Sequence, residues 1–195
     1  MQFINFTNKA QEAIQHAQAI ASEKNQQQID TLHLLASLLT QEDSIIVSIL
    51  ERLGVDINGL RARVDEALNK IPKSLGELGL GQFYLTQDLA KVLERARKEA
   101  VKLTDEFISV EHLFLALLDT SCKSKDLLEK IALVNSAGGA GVVSMERLNY
   151  ETVLKVLAQL RGGMRVSDPE PESKYQVIER YSRNLTAMAR QGKLE

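Results

Sequence analysis

Residues 6–39, FTNKAQEAIQHAQAIASEKNQQQIDTLHLLASLL, lie over residues 85–118, LTQDLAKVLERARKEAVKLTDEFISVEHLFLALL, when the chain is slid along itself by 79 positions. Identical pairs are Thr7/Thr86, Ala17/Ala96, Ala21/Ala100, Ile29/Ile108, His33/His112, Leu34/Leu113, Leu38/Leu117 and Leu39/Leu118. The matches fall on apolar faces and helix starts, so one structural unit is present twice. Farther on the offset grows to 89, pairing Val64, Leu68 and Ile71 with Val153, Leu157 and Leu160. The second copy therefore carries an insertion, placed at the glycine-rich stretch NSAGGAGVVS over residues 135–144.

Each copy reads as four helices. In the first, Ala10, Ala13, Ile14, Ala17, Ile20 and Ala21 recur at helical spacing behind the capping residue Thr7, and the alanines permit close approach of another helix. Asp30 caps a second helix carrying Leu34, Leu35, Leu38 and Leu39. A third carries Ile45, Ile46, Ile49 and Leu50 and stops before Gly54; a fourth runs from about Asp56 to Ile71 and ends at Pro72. The second copy repeats the order with Leu89, Val92, Leu93, Ala96 and Ala100, then 113–118, then Leu127, Leu128 and Ile131. The expected fold is all-α: two four-helix repeats, 1–72 and 84–161, related by a pseudo-twofold axis. The glycine-punctuated connection 73–83 is too short to let them separate.

Composition narrows the function. Five per cent aromatics and three prolines among 195 residues agree with a helical chain. A formal charge of −2 offers no field for nucleic acid or anionic lipid. The first residues lack a basic leader, and the stretch beyond them is too polar for a membrane span, so a cytoplasmic location is expected. The single cysteine, Cys122, has no disulfide partner in the chain and reads as an inert core thiol.

After Arg161 the pattern changes. Residues 162–173 form a polar linker with two of the three prolines, and residues 174–195 an amphipathic helix whose stripe is Tyr175, Ile178, Tyr181, Leu185 and Met188. Such a helix beyond a linker reads as the start of a further module.

The doubled repeat, FTNKAQEAI near the start, FISVEHLFLALL in the second copy and RYSRNLTAMARQGKL at the end together resemble the bacterial ClpB family of AAA+ disaggregases. The resemblance covers the whole chain. It implies a Clp N-terminal domain over 1–161, followed by the leading helix of a truncated ATPase module. The closing Leu194-Glu195 departs from the family's Leu-Asp-Pro continuation and reads as a cloning remnant. The only Gly-Lys pair, Gly192-Lys193, is followed by Leu194, so no phosphate-cradling loop is present, and the Gly138–Gly141 run lacks the spacing and the preceding strand of a dinucleotide site. No cofactor is expected on these residues. The resemblance implies ATP and Mg²⁺ for the full-length protein, a hexamer when full length, a monomeric fragment, unfolded or aggregated proteins as substrates, and a cooperating DnaK-type chaperone.

The same resemblance attaches substrate handling to Thr7, Asp105 and Glu111. A site for unfolded chains reads as an apolar groove between helices with those polar groups at its edge, and Leu93 and the neighbourhood of Phe107 and His112 are the candidates for it. Their own chemistry reads more plainly: Thr7 as an N-cap, Glu111 as a carboxylate in a first turn, Asp105 as a connection residue, and His33 and His112 as repeat-equivalent packing residues without the converging ligands a metal needs. Within the binding class the rival is the ClpC-type domain, whose Thr-Glu-His triplet in both repeats receives phosphoarginine or positions an adaptor. Here the first copy has Thr31-Leu32-His33 and the second Val110-Glu111-His112, so one of the two carboxylates is missing.

Overall fold

Two threonines start the two long helices. The Thr7 hydroxyl accepts the Ala10 amide at 3.2 Å and opens α1 (Asn8–Glu23); Thr86 accepts from Leu89 at 3.2 Å and opens α5 (Gln87–Lys102). Each cap satisfies one of the amides that a helix start leaves unpaired. Both helices also end alike. Asn25 and Thr104 turn left-handed, with φ of 57° and 60°. The next amides along the chain, of Gln26 and Asp105, return to the carbonyls of Ala21 and Ala100 at 2.8 and 2.9 Å.

The computed structural model describes residues 6–41, 44–74, 83–134 and 143–171. In the first repeat α1 is followed by α2 (Thr31–Thr40), α3 (Ile45–Arg52) and α4 (Ile57–Asn69). In the second, α5 is followed by α6 (Val110–Asp119), α7 (Lys123–Leu128) and α8 (Tyr150–Arg161). The fold is the expected doubled helical bundle. The amphipathic stretch 174–195, most of the glycine-rich insertion and most of the connection 73–83 lie outside the described residues.

The core is built on α2 and α6, which pack on each other across the two repeats. Leu34, Leu35, Leu38 and Leu39 on α2, and Leu113, Phe114, Leu115 and Leu117 on α6, are buried, so removing any one side chain to alanine would cost about 2–5 kcal/mol. Against α2 lies the alanine face of α1, with Ala10, Ala13, Ala17 and Ala21 buried; the small side chains let the backbones approach.

Short main-chain pairings join the halves and reveal their symmetry. Strand β1 (Gln28–Ile29) pairs in parallel with β2 (Tyr84–Leu85), Gln28 opposite Tyr84 and Ile29 opposite Leu85. Phe6 bridges Ile108, also in parallel. Adding 79 to Phe6 gives Leu85 and to Ile29 gives Ile108, so the two contacts are one contact with the repeats exchanged. The hydrogen bonds agree: Thr7 N–H donates to the Ile108 carbonyl at 2.9 Å and Thr86 N–H to that of Ile29 at 3.0 Å. A pseudo-twofold relation accounts for this reciprocity. A further antiparallel pair, β3 (Ala132–Val134) with β4 (Val143–Arg147), flanks the insertion.

The last helices correct the alignment read from the sequence. Asp56 and Asn149 are the N-caps of α4 and α8, accepting from Gly59 and Thr152, and the buried faces are Leu60, Val64, Leu68 and Val153, Leu157, Arg161. The equivalence is therefore offset by 93, not 89, and Arg161 stands in the place of Leu68. Residues 162–171, read as part of a linker, are tied to the domain. The Glu106 amide donates to the Val166 carbonyl at 2.9 Å, Asn8 N–H to the Pro169 carbonyl at 2.9 Å, and the Val166 side chain is buried.

Candidate functional site

Two buried histidines organise the repeats in the same way. In the first, the Asp30 amide donates to His33 Nδ1 at 2.9 Å, closing a capping box in which the histidine takes the part usually played by Glu or Gln. Because Nδ1 accepts, the ring proton sits on Nε2, which donates to Gln26 Oε1 at 2.7 Å. Burial holds the His33 pKa below its ordinary value, more strongly than Asp30 raises it. In the second, the Ser109 amide donates to His112 Nδ1 at 2.9 Å and Nε2 donates to Asp105 Oδ2 at 2.9 Å. Gln26 and Asp105 are equivalent positions.

Around Asp105 the second repeat assembles a buried ionic cluster. Arg161, at the end of α8, donates from Nη1 to Asp105 Oδ2 at 2.6 Å and from Nη2 to Glu111 Oε1 at 2.8 Å. Asp105 Oδ1 accepts the Val166 amide at 2.8 Å, which fixes the stretch leaving α8. Burial alone would raise the Asp105 carboxyl, but the hydrogen bonds from His112, Val166 and Arg161 bring it below its usual range. At Glu111 burial is again the largest influence, overcome chiefly by the Arg161 charge together with the bonds from Arg161 and Ser109, so that carboxyl too is lowered. The first repeat answers with neutral groups: Leu32 for Glu111, Leu68 for Arg161, and Gln26 for Asp105. The Gln26 amide donates to the Leu68 carbonyl at 2.7 Å.

This geometry places the residues named from the sequence. Asp105, Glu111 and His112 are brought together, with Arg161 as the partner that the sequence reading missed. Thr7 is buried at the head of α1, its amide on Ile108. Leu93 and Phe107 are half-buried and take no part in the cluster. Among the described residues, no group of three or more His, Cys, Asp or Glu is placed to hold a metal ion, and no helix is long and apolar enough to cross a membrane. The Cys122 thiol is buried, and burial pushes its pKa up, away from a nucleophile.

Open surface is found elsewhere. A cavity of about 450 Å³ between α4 and α7 is lined by Leu32, Ala67, Ile71, Pro72 and Leu127, with Arg63, Lys70, Lys123 and Lys130 at its edges. Two of those cations are engaged, Lys70 by Glu66 at 2.7 Å and Lys123 by Asp30 at 2.9 Å. A second cavity, of about 550 Å³, runs between α1, α2 and α4 over Ile20, Ala36, Leu39, Val64 and Leu68.

The doubled helical repeat, with Asp105, Glu111 and Arg161 paired inside the second copy, defines a helical repeat domain. The chain belongs to the Clp repeat (R) N-terminal domain family, whose pattern matches residues 5–131. It is 34% identical to the chaperone protein ClpB of Bacillus cereus over all of this chain, and 35% identical to chaperone protein ClpB 2 of Nostoc sp. over 97% of it. The chain spans about a fifth of the length of these relatives, 21% and 20%. In fold it is similar to the Hsp104 N-terminal domain from Candida albicans, with a TM-score of 0.69 at 21% identity over 86% of this chain and 99% of that one. It is also similar to the N-terminal domain of the ClpV1 ATPase from E. coli, with a TM-score of 0.62 at 18% identity over 85% and 91%.

Proposed function

We propose that this chain is the substrate-recruiting domain of an ATP-dependent protein disaggregase, which takes exposed apolar segments of unfolded or aggregated proteins into a shallow groove and passes them to an ATPase ring. The observation that carries the reading is the contrast between the two kinds of site. Asp105 and Glu111 are buried and paired with Arg161 inside the domain, whereas the clefts at the surface present aliphatic side chains between charged ones. A client recognised there is recognised chiefly by its apolar surface. Such contacts yield about 25 cal/mol per Å² buried against an association cost on the order of 4–15 kcal/mol, so single encounters are weak. Six copies in a hexamer would add avidity.

ATP and Mg²⁺ would act in the remainder of the protein, and a DnaK-type chaperone would refold what is released. Thr7, Asp105, Glu111 and His112 enter this reading as residues that hold the domain's shape; Leu93 and Phe107 remain candidates for apolar contact. The adaptor or phosphoarginine reading has less support. Leu32 cannot bond a guanidinium, and the Glu111 carboxylate already faces one. Fluorescence anisotropy of a labelled, reduced and carboxymethylated lactalbumin tests the proposal. Saturable binding of that unfolded client, with none of native lactalbumin, is expected; equal affinity for both, or for neither, would overturn it.

A further inference from the structure

We propose that the client groove is the cleft between α1, α2 and α4 of the first repeat, and that it takes a short extended segment of apolar residues flanked by an acidic residue at one end and a basic residue at the other. This rests on the substrate-recruiting reading and goes beyond it by choosing the cleft and the peptide chemistry.

The choice comes from comparing the repeats position by position. In the first, Ile20 and Ala36 are half-buried and face the 550 Å³ cleft, within the range of about 300–1,000 Å³ typical of ligand pockets. At the equivalent places in the second repeat stand Glu99 and Leu115. There Glu99 and Leu115 are both buried. Arg95 Nη2 pairs with Glu99 Oε1 at 2.7 Å and its Nε with Asp119 at 2.7 Å. Tyr150 donates to Glu99 Oε2 at 2.6 Å and accepts from Lys102 at 2.8 Å. Arg95 and Asp119 replace His16 and Thr40. One duplicated cleft is plugged by a bonded polar cluster and a larger aliphatic side chain at Glu99 and Leu115; in its twin those two places hold the half-buried Ile20 and Ala36, and the bonded polar groups Lys24 and Asp65 stand at one end.

Charge at the rim selects the occupant. At one end His16 lies beside Thr40 at 3.4 Å, and the Arg61 guanidinium is bonded to the Leu39 carbonyl through Nε and Nη2 at 3.0 and 2.6 Å. Of its five N–H donors, two on Nη1 and one on Nη2 remain for a carboxylate. At the other end Lys24 is committed to Asp65 at 2.6 Å and Asn69 at 2.9 Å, leaving Glu23 exposed and the net charge negative. His16 and Glu23 are seven residues apart on α1, about 11 Å along the axis. An extended chain covers that distance in roughly three to four residues.

The test is an NMR chemical-shift titration with the peptide acetyl-Asp-Leu-Phe-Ile-Lys-amide, run beside unfolded lactalbumin. Wild type is expected to shift the Ile20, Leu39, Val64 and Leu68 methyls and to bind the variants with two acidic or two basic ends about threefold more weakly. Ala36→Leu, which installs the residue found in the plugged cleft, should weaken binding of peptide and client by about tenfold. Ile20→Glu should do the same, with circular dichroism confirming that each variant is folded, while Val101→Ala, at an exposed aliphatic side chain of α5 outside the cleft, binds as wild type. Lactalbumin binding that survives Ala36→Leu and Ile20→Glu, or is lost on Val101→Ala alone, overturns the choice of cleft and leaves the recruiting function standing. Failure of wild type to bind lactalbumin at all overturns both.

Discussion

Arg161 occupies in the second repeat the position that Leu68 occupies in the first, so the same bundle is closed once by a guanidinium between two buried carboxylates and once by an aliphatic side chain. Replacing Arg161 by leucine alone would strand Asp105 and Glu111, and the expected loss is about 3–5 kcal/mol. Converting the whole cluster to its first-repeat equivalents, Arg161→Leu with Glu111→Leu and Asp105→Gln, should recover most or all of that loss. Urea denaturation of the single and triple variants checks both figures.

The same cluster sets an acid limit. Asp105 and Glu111 both titrate below their ordinary values in the folded chain. Their contribution is therefore complete above the unfolded values of about 4 and is lost as pH falls through the folded ones. Between pH 5 and 2 wild type should lose stability that the triple variant does not lose. Denaturation midpoints measured across that range give the comparison.

His33 acts in a different window. Its folded pKa is lowered by burial, so below the unfolded value of about 6.5 the unfolded chain binds more protons, and stability falls as pH drops from there toward the folded value. His33→Gln keeps a residue able to close the capping box with Asp30 and removes the titration. Its stability should be flat between pH 7 and 5.5, where that of wild type slopes.

Thr104 holds a left-handed backbone at φ 60°, a conformation that a β-branched residue tolerates poorly. Its counterpart, Asn25, holds φ 57° with a side chain better suited to it. Thr104→Asn should stabilise the domain by about 0.5–1 kcal/mol, seen as a higher thermal midpoint.

The repeat was legible in the sequence because caps and buried faces must be kept wherever a bundle is built twice, and Thr7/Thr86 and His33/His112 are such positions. The alignment of α4 with α8 was not. Offsets of 89 and 93 differ by four residues, about one helical turn, and a slip of one turn leaves an apolar face on itself. The caps Asp56 and Asn149 break the tie. The ionic cluster was hidden for another reason: Glu111 and Arg161 lie 50 residues apart, and a basic residue ending a helix reads as a dipole partner. The available signal was that Arg161 continues the buried row of Val153 and Leu157, while Glu111 replaces a leucine. The β1–β2 pairing is two residues long and joins different repeats, so no local pattern announces it.

Recognition of apolar surface by this domain is tested most directly by calorimetric titration of unfolded lactalbumin, and of a phosphoarginine peptide, at several temperatures and salt concentrations. Weak client binding is predicted, with a negative heat-capacity change, little salt dependence, and no saturable heat from the phosphoarginine peptide. Tight binding of phosphoarginine, or client binding with no heat-capacity change and a steep loss in salt, would contradict it.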